Sequence, residues 1–235
     1  MQLNKYLFFI TVLILTLLIS AFAHLRNGNR LVEKVAISFE SQEARFLSAT
    51  LVNKLLIQNK GELPWKAKDS LVLSKLENLI EENPYVQNAE VFHFKQGVLG
   101  VNIREKNAVV RVQGIKKYYL DKEGNQFPIS KNHTPKVPVF LGSLEEGQKE
   151  DLLLLIDQID KDSFLRDELA SIHYRSNSYF IGLRSYGFEV EIGQIRHIAE
   201  KLSKLKVFCA YHDNHKLEKN YRQINLKFKN QVVGS

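Results

Sequence analysis

The run from Tyr6 to Ala23, YLFFITVLILTLLISAFA, constrains this chain more than any other stretch. It holds no charge, no Gly and no Pro. A helix of that length, at ~1.5 Å per residue, reaches ~27 Å. The hydrocarbon core of a bilayer is ~30 Å thick, so the run can cross once. Nothing downstream is comparably apolar. The expected layout is a stub (1–5), a membrane helix (6–23), a polar linker (24–34) and a large remainder on the far side. Ala21-Phe22-Ala23 also fits a signal-peptidase site, so a cleaved signal is the alternative, although the run is longer than the ~7–15 residues of a signal core. Charge does not fix the orientation. Only the amino terminus and Lys5 precede the helix, whereas Arg26, Arg30 and Lys34 follow it. A strict positive-inside count would leave the large part in the cytoplasm, but long domains translocate largely regardless of charge.

The remainder has the makeup of a folded protein, with 44% hydrophobic and 25% charged residues, so a packed core is expected. Cys209 is the single cysteine, which rules out an internal disulfide. A net charge of +7 suits acidic partners or an anionic membrane surface. The Lys and Arg residues are scattered singly and no RNA-binding motif is present, which argues against nucleic acid.

Periodicity then divides the chain. Val35 to Phe39 alternates as a half-buried strand. Ser41 can cap a helix that carries Phe46, Leu47, Leu51, Leu55 and Leu56. Asn59 to Gly61 ends it, and a loop with Trp65 follows. Trp65 would serve equally as an interfacial contact or as packing over the helices. Ser74-Lys75-Leu76-Glu77 reads as a capping box opening a short helix that Asn83-Pro84 stops. Val86 to Phe94 and Val98 to Glu105 flank Lys95-Gln96-Gly97 as a hairpin. Residues 35–105 thus read strand, helix, helix, strand, strand.

A strand is expected within Asn107 to Gln113, then strand, turn and strand over Tyr118 to Ile129, with the turn at Asp121 to Asn125. Val137 to Leu141 is short and apolar, and Pro138 suggests a sheet edge or a strand start. A helix is expected over Gly147 to Asp162. Three alternating strands follow: Ala170 to Arg175, Tyr179 to Leu183 and Phe188 to Ile192. A helix over Gln194 to Tyr211 and one long strand, Tyr221 to Val233, close the chain.

Candidate chemistry is thin. Cys209, His212, Asp213 and His215 lie close together, but the spacing matches no zinc pattern, and Cys209 falls on the apolar stripe of its helix. A Cys/His nucleophile would need an orienting third group. His93 and His173 sit in strand patterns. There is no Gly-x-Ser-x-Gly, P-loop or dinucleotide fingerprint. No cofactor, metal or small-molecule substrate is expected.

This order of parts resembles the FtsQ/DivIB family of bacterial division proteins, which carry a cytoplasmic stub, one membrane helix, a POTRA domain and a distal β domain. The likeness rests first on Pro84-Tyr85-Val86-Gln87-Asn88-Ala89-Glu90-Val91, then Gly97-Val98-Leu99 and Ile103-Arg104-Glu105-Lys106. Asn107 stands where the family often has Pro. It continues with Tyr119-Leu120-Asp121, Gly124, Pro128, Val137-Pro138-Val139 and Ile224 to Gln231, in wording similar to the Bacteroidetes branch. The resemblance implies an α+β fold: a POTRA domain over 35–106 and a mainly antiparallel β domain with flanking helices over 107–235.

It also implies a non-enzymatic divisome scaffold in the inner membrane at the septum, its large part periplasmic. That scaffold would hold the bitopic proteins FtsB and FtsL, with POTRA contacts to other divisome proteins. The last strand would pair with a strand of FtsB, which makes Tyr221, Arg222, Ile224, Leu226, Lys227, Phe228 and Lys229 the candidate partner-binding residues. A terminal edge strand offers unpaired backbone groups to an added strand. Lys219, Arg222, Lys227 and Lys229 would suit an acidic segment, or would simply guard the edge against aggregation. The competing reading is a membrane-anchored envelope enzyme or an envelope-assembly factor.

Overall fold

Leu99, Val101 and Ile103 are almost wholly excluded from solvent, and the first folded layer is built on them. In the computed structural model, residues 3–28, 34–41, 46–58, 70–93, 98–215, 221–229 and 231–235 are described. The expectations placed on Trp65, on the turn 95–97 and on Lys219 lie outside those residues. The chain divides into two units, Met1–Lys106 and Asn107–Ser235.

The first unit opens with helix α1 (Leu3–Gly28), which includes the span Tyr6–Ala23, long and apolar enough to cross a membrane. Strand β1 (Lys34–Phe39), helices α2 (Ala49–Gln58) and α3 (Ser70–Glu81), and strands β2 (Val86–His93) and β3 (Val98–Glu105) follow. The sheet order is β1-β3-β2, with β1 parallel and β2 antiparallel to β3. Val52 and Leu56 of α2 and Leu76 and Ile80 of α3 pack with Val86, Ala89, Val91 and the β3 trio in one core. Both helices therefore lie on the same face of the sheet.

Two expected helix starts differ. Ser41 does not open α2; Ser48 does, its Oγ accepting the Leu51 N–H at 3.2 Å. Phe46 and Leu47 lie ahead of the helix, because their N–H groups donate to Glu105 at 3.1 and 2.7 Å. Ser74 is interior to α3, and Glu77 caps nothing there; its carboxylate accepts the Val91 N–H at 2.9 Å.

The second unit contains β4 (Val110–Gln113), β5 (Lys117–Leu120), β6 (Gln126–Pro128), β7 (Val139–Leu141), α4 (Glu146–Asp160), α5 (Ser163–Glu168), β8 (Leu169–Arg175), β9 (Ser178–Leu183), β10 (Glu189–Gly193), α6 (Ile198–His215), β11 (Gln223–Asn225) and β12 (Val233–Gly234). They form a mixed sheet in the order β12-β11-β10-β9-β8-β7-β4-β5-β6. The parallel pairs β7–β8 and β10–β11 need crossovers, which α4–α5 and α6 supply. Leu152, Leu155, Ile156 and Ile159 of α4 share a core with Leu202, Leu205 and Cys209 of α6 and with Val112, Phe140, Ile172, Ile181 and Val190 of the sheet. Ser176 and Asn177, at φ 48 and 60, make the tight β8–β9 turn, since twisted strands favour two positive-φ residues there.

The expected α+β class holds. Of the two places that Pro138 allows, the strand start is the one adopted: β7 is central, lying between β4 and β8, and Pro138 sits just before it, where its missing N–H does no harm. Two features of this unit depart from expectation. Helix α5, capped by the Asp162 carboxylate on Leu165 N–H at 3.1 Å, is additional. The long terminal strand is instead two strands, β11 parallel to β10 and β12 folded back antiparallel on β11.

Candidate functional site

Backbone hydrogen bonding decides which sheet edges a partner could use. Strand β2 borders the first sheet. Its outward amides are occupied: Val91 N–H donates to Glu77 at 2.9 Å and Ala89 N–H to Glu81 at 2.9 Å. Glu77 and Glu81 are one helical turn apart on α3, so their spacing matches alternate residues of the strand. Strand β1 forms the opposite border and pairs with β3 alone.

The second sheet ends at β6 and β12. Pro128 closes β6 and has no N–H to offer. At the other end β11 is covered by β12, with Asn225 opposite Val233 and Ile224 opposite Gly234. The N–H groups of Arg222 and Gln223 donate to the Ser235 carbonyl at 2.7 and 3.2 Å, and Ser235 N–H returns a bond to Gln223 at 3.0 Å. Each such bond is worth a net ~0.5–1.5 kcal/mol. Val233, Gly234 and Ser235 remain exposed, so little apolar burial adds to these bonds.

The seven candidate residues part company here. Ile224 and Leu226 are wholly buried and serve the core. Tyr221 is half-buried, its ring 5.7 Å from that of Phe208. Lys227 is already engaged, 2.6 Å from Glu191. Arg222, Phe228 and Lys229 are exposed. Three residues outside the expected set hold the segment. Glu191 on β10 is 7% exposed and takes Gln223 at 3.0 Å and Asn225 at 2.7 Å besides Lys227. Lys204 of α6 donates to the carbonyls of Phe228 at 2.7 Å and Lys229 at 3.3 Å. Gly234 lies against Tyr221 so closely that an added Cβ would come within 2.5 Å of the ring. Only one sequence signal pointed to the fold-back: a strand over 221–233 would be far longer than the adjacent β10.

Elsewhere, His173 stacks on Phe180 at 5.0 Å, and Arg175 lies 4.2 Å over the same ring while pairing with Glu189 at 2.5 Å. Burial lowers the His173 pKa, partly offset by Glu189, 3.3 Å away. Cys209 is fully buried, and burial pushes its thiol up to about 11, the opposite of an activated thiolate. His212 lies among the rings of Tyr186, Phe188 and Phe208, 3.5 Å from Asp213. The side chain of His215 falls outside the described residues. Among the described residues no group of three or more His, Cys, Asp or Glu could hold a metal ion.

The FtsQ/DivIB, C-terminal related family matches residues 107–235, the whole of the second unit. This chain belongs to the FtsQ/DivIB family. A cell division protein FtsQ from Geotalea daltonii is 28% identical over 137 residues, covering 53% of this chain and 50% of the relative. The chain thus spans about half the length of that curated relative. The extracytoplasmic domain of the division protein DivIB from Geobacillus stearothermophilus, in its trans isomer, is 19% identical. That likeness covers 47% of this chain and 96% of the DivIB chain, with a TM-score of 0.34.

Proposed function

We propose that this chain is a non-enzymatic scaffold of the division machinery. Tyr6–Ala23 anchors it once in the inner membrane, and residues 35–106 act as a POTRA domain on the periplasmic side that helps recruitment to the septum. Residues 107–235 hold FtsB, in its complex with FtsL, by strand addition at the β11–β12 end of the large sheet. Family membership supports the cell-division role. The observation that carries the site is the terminal edge, where short strands, exposed terminal residues and the basic side chains of Arg222 and Lys229 coincide. Added strands gain affinity from main-chain bonds and specificity from alternate side chains.

Deleting residues 221–235 would remove Ile224 and Leu226 from the core, so it is a poor test. Charge reversal at exposed positions is cleaner. The full-length chain in lipid nanodiscs should bind an FtsB–FtsL pair. The double variant R222E/K229E should weaken that binding by about tenfold, or ~1.4 kcal/mol, and flatten its dependence on salt. Absence of binding by the wild-type chain would overturn the scaffold reading. Binding indifferent to R222E/K229E and to Phe228→Ala would move the interface away from this edge.

A further inference from the structure

The strand that a partner would pair with is already paired. Every outward backbone position of β11 that could receive an incoming strand faces Val233 to Ser235 of the same chain. Strand β12 is two residues long, so its own outer rim presents almost no ladder for a further strand. Val233 is 40% exposed and Gly234 has no side chain, so hydrogen bonds and the fit of Gly234 on Tyr221 hold the cover. Upstream, Lys204 pins the carbonyls of Phe228 and Lys229 to α6, and Lys227 is pinned to Glu191. Closer to the end, half-buried Val232 packs against the core. A segment that lets go would therefore peel from Ser235 back to Val233 and leave β11 in place.

We propose that β12 is a removable cover and that an extended, acidic partner strand binds by displacing it from β11 rather than by adding outside it. The inference rests on the partner-strand reading above and concerns how that site is opened. Arg222 and Lys229 flank the exposed ladder and are the basic groups the newcomer would meet. Glu191 does not repel it, because Lys227, Gln223 and Asn225 already engage its carboxylate.

A reversible lock tests this. Asn225 and Val233 are directly opposite in an antiparallel pair. Such Cα atoms lie ~4.5–5.5 Å apart, within disulfide reach. Cys209 is buried and will not compete for the new thiols. The full-length N225C/V233C chain in nanodiscs is titrated with the FtsB–FtsL pair, oxidised and then reduced. Oxidation should weaken binding at least tenfold, reduction should restore it, and Gly234→Val, which forces the cover off Tyr221, should tighten it several-fold. Equal binding by the oxidised and reduced forms overturns displacement while leaving strand addition standing. A wild-type chain that binds nothing overturns the partner reading instead. Hydrogen exchange on the free chain then decides about the cover alone: the Gln223 and Asn225 amides should exchange much faster than those of Val190 and Ile192, and equal protection overturns the proposal.

Discussion

Among the described residues, the outward backbone groups of β2 and of β11 are both covered, and each row is closed differently. On β2, Glu77 and Glu81 reach down from α3 and take the Val91 and Ala89 amides. On β11, the chain's own main chain folds back as β12. The first closure belongs to a helix whose Leu76 and Ile80 are core residues, so the helix cannot leave without unfolding its unit. The second belongs to the short, exposed segment Val233 to Ser235, next to Val232, which is half-buried against the core. Edge closure by carboxylates is thus permanent and helps keep a sheet monomeric, whereas closure by a loose strand is reversible. Of these two closures, only the reversible one would leave room for a partner.

The comparison can be broken at several points. The largest effect should come from the strand beneath the cover. Ile224→Ala or Leu226→Ala removes a wholly buried side chain and should cost ~2–5 kcal/mol in denaturant unfolding; a loss under ~1 kcal/mol would mean that β11 too is detachable. Next is Glu191→Ala, which strands the amides of Gln223 and Asn225 and should cost ~1–3 kcal/mol. Glu77→Ala and Glu81→Ala should each cost ~0.5–1.5 kcal/mol. Together they should speed exchange at Val91 and Ala89 and promote concentration-dependent self-association, visible by light scattering. Unchanged exchange would show that the carboxylates do not seal β2.

The smallest effects are titrations. The His173 pKa is lowered in the fold by burial, so its stabilising contribution is present above the ordinary value of ~6.5 and is lost as pH falls through the lowered one. The Cys209 thiol is raised to about 11, so its contribution is present below the ordinary value of ~8.5 and is lost as pH climbs toward 11. Unfolding midpoints followed across both limbs should show the acid limb reduced by His173→Gln and the alkaline limb reduced by Cys209→Ala.

Most of the architecture was legible because local pattern and tertiary role agree. Leu99, Val101 and Ile103 alternate in the sequence and form the centre of their sheet; Leu152, Leu155, Ile156 and Ile159 repeat at helical spacing and line one core. The failures come from residues whose partners are distant. Glu77 resembles a cap to its neighbours, yet its carboxylate serves Val91, and Ser48 rather than Ser41 starts α2 because Glu105 captures Phe46 and Leu47. Pro138 leaves a sheet edge and a strand start equally open in the sequence, and only the pairing of β7 with both β4 and β8 decides for the start. At the candidate site the exposed bases were visible in the sequence. Glu191, Lys204 and Gly234 were not, since each acts across a pairing register that local pattern does not encode.

The pin that Lys204 places on Phe228 and Lys229 has a consequence for affinity. A cover tethered by so short a leash rebinds as though it were free at millimolar concentration. Any newcomer sees its intrinsic affinity reduced by the small fraction of time the ladder is bare. A soluble peptide copy of a partner strand would therefore bind feebly even with ideal contacts. A partner held by its own helix in the same bilayer would compete from a comparable local concentration. The cover thus screens partners by where they are as much as by what they are.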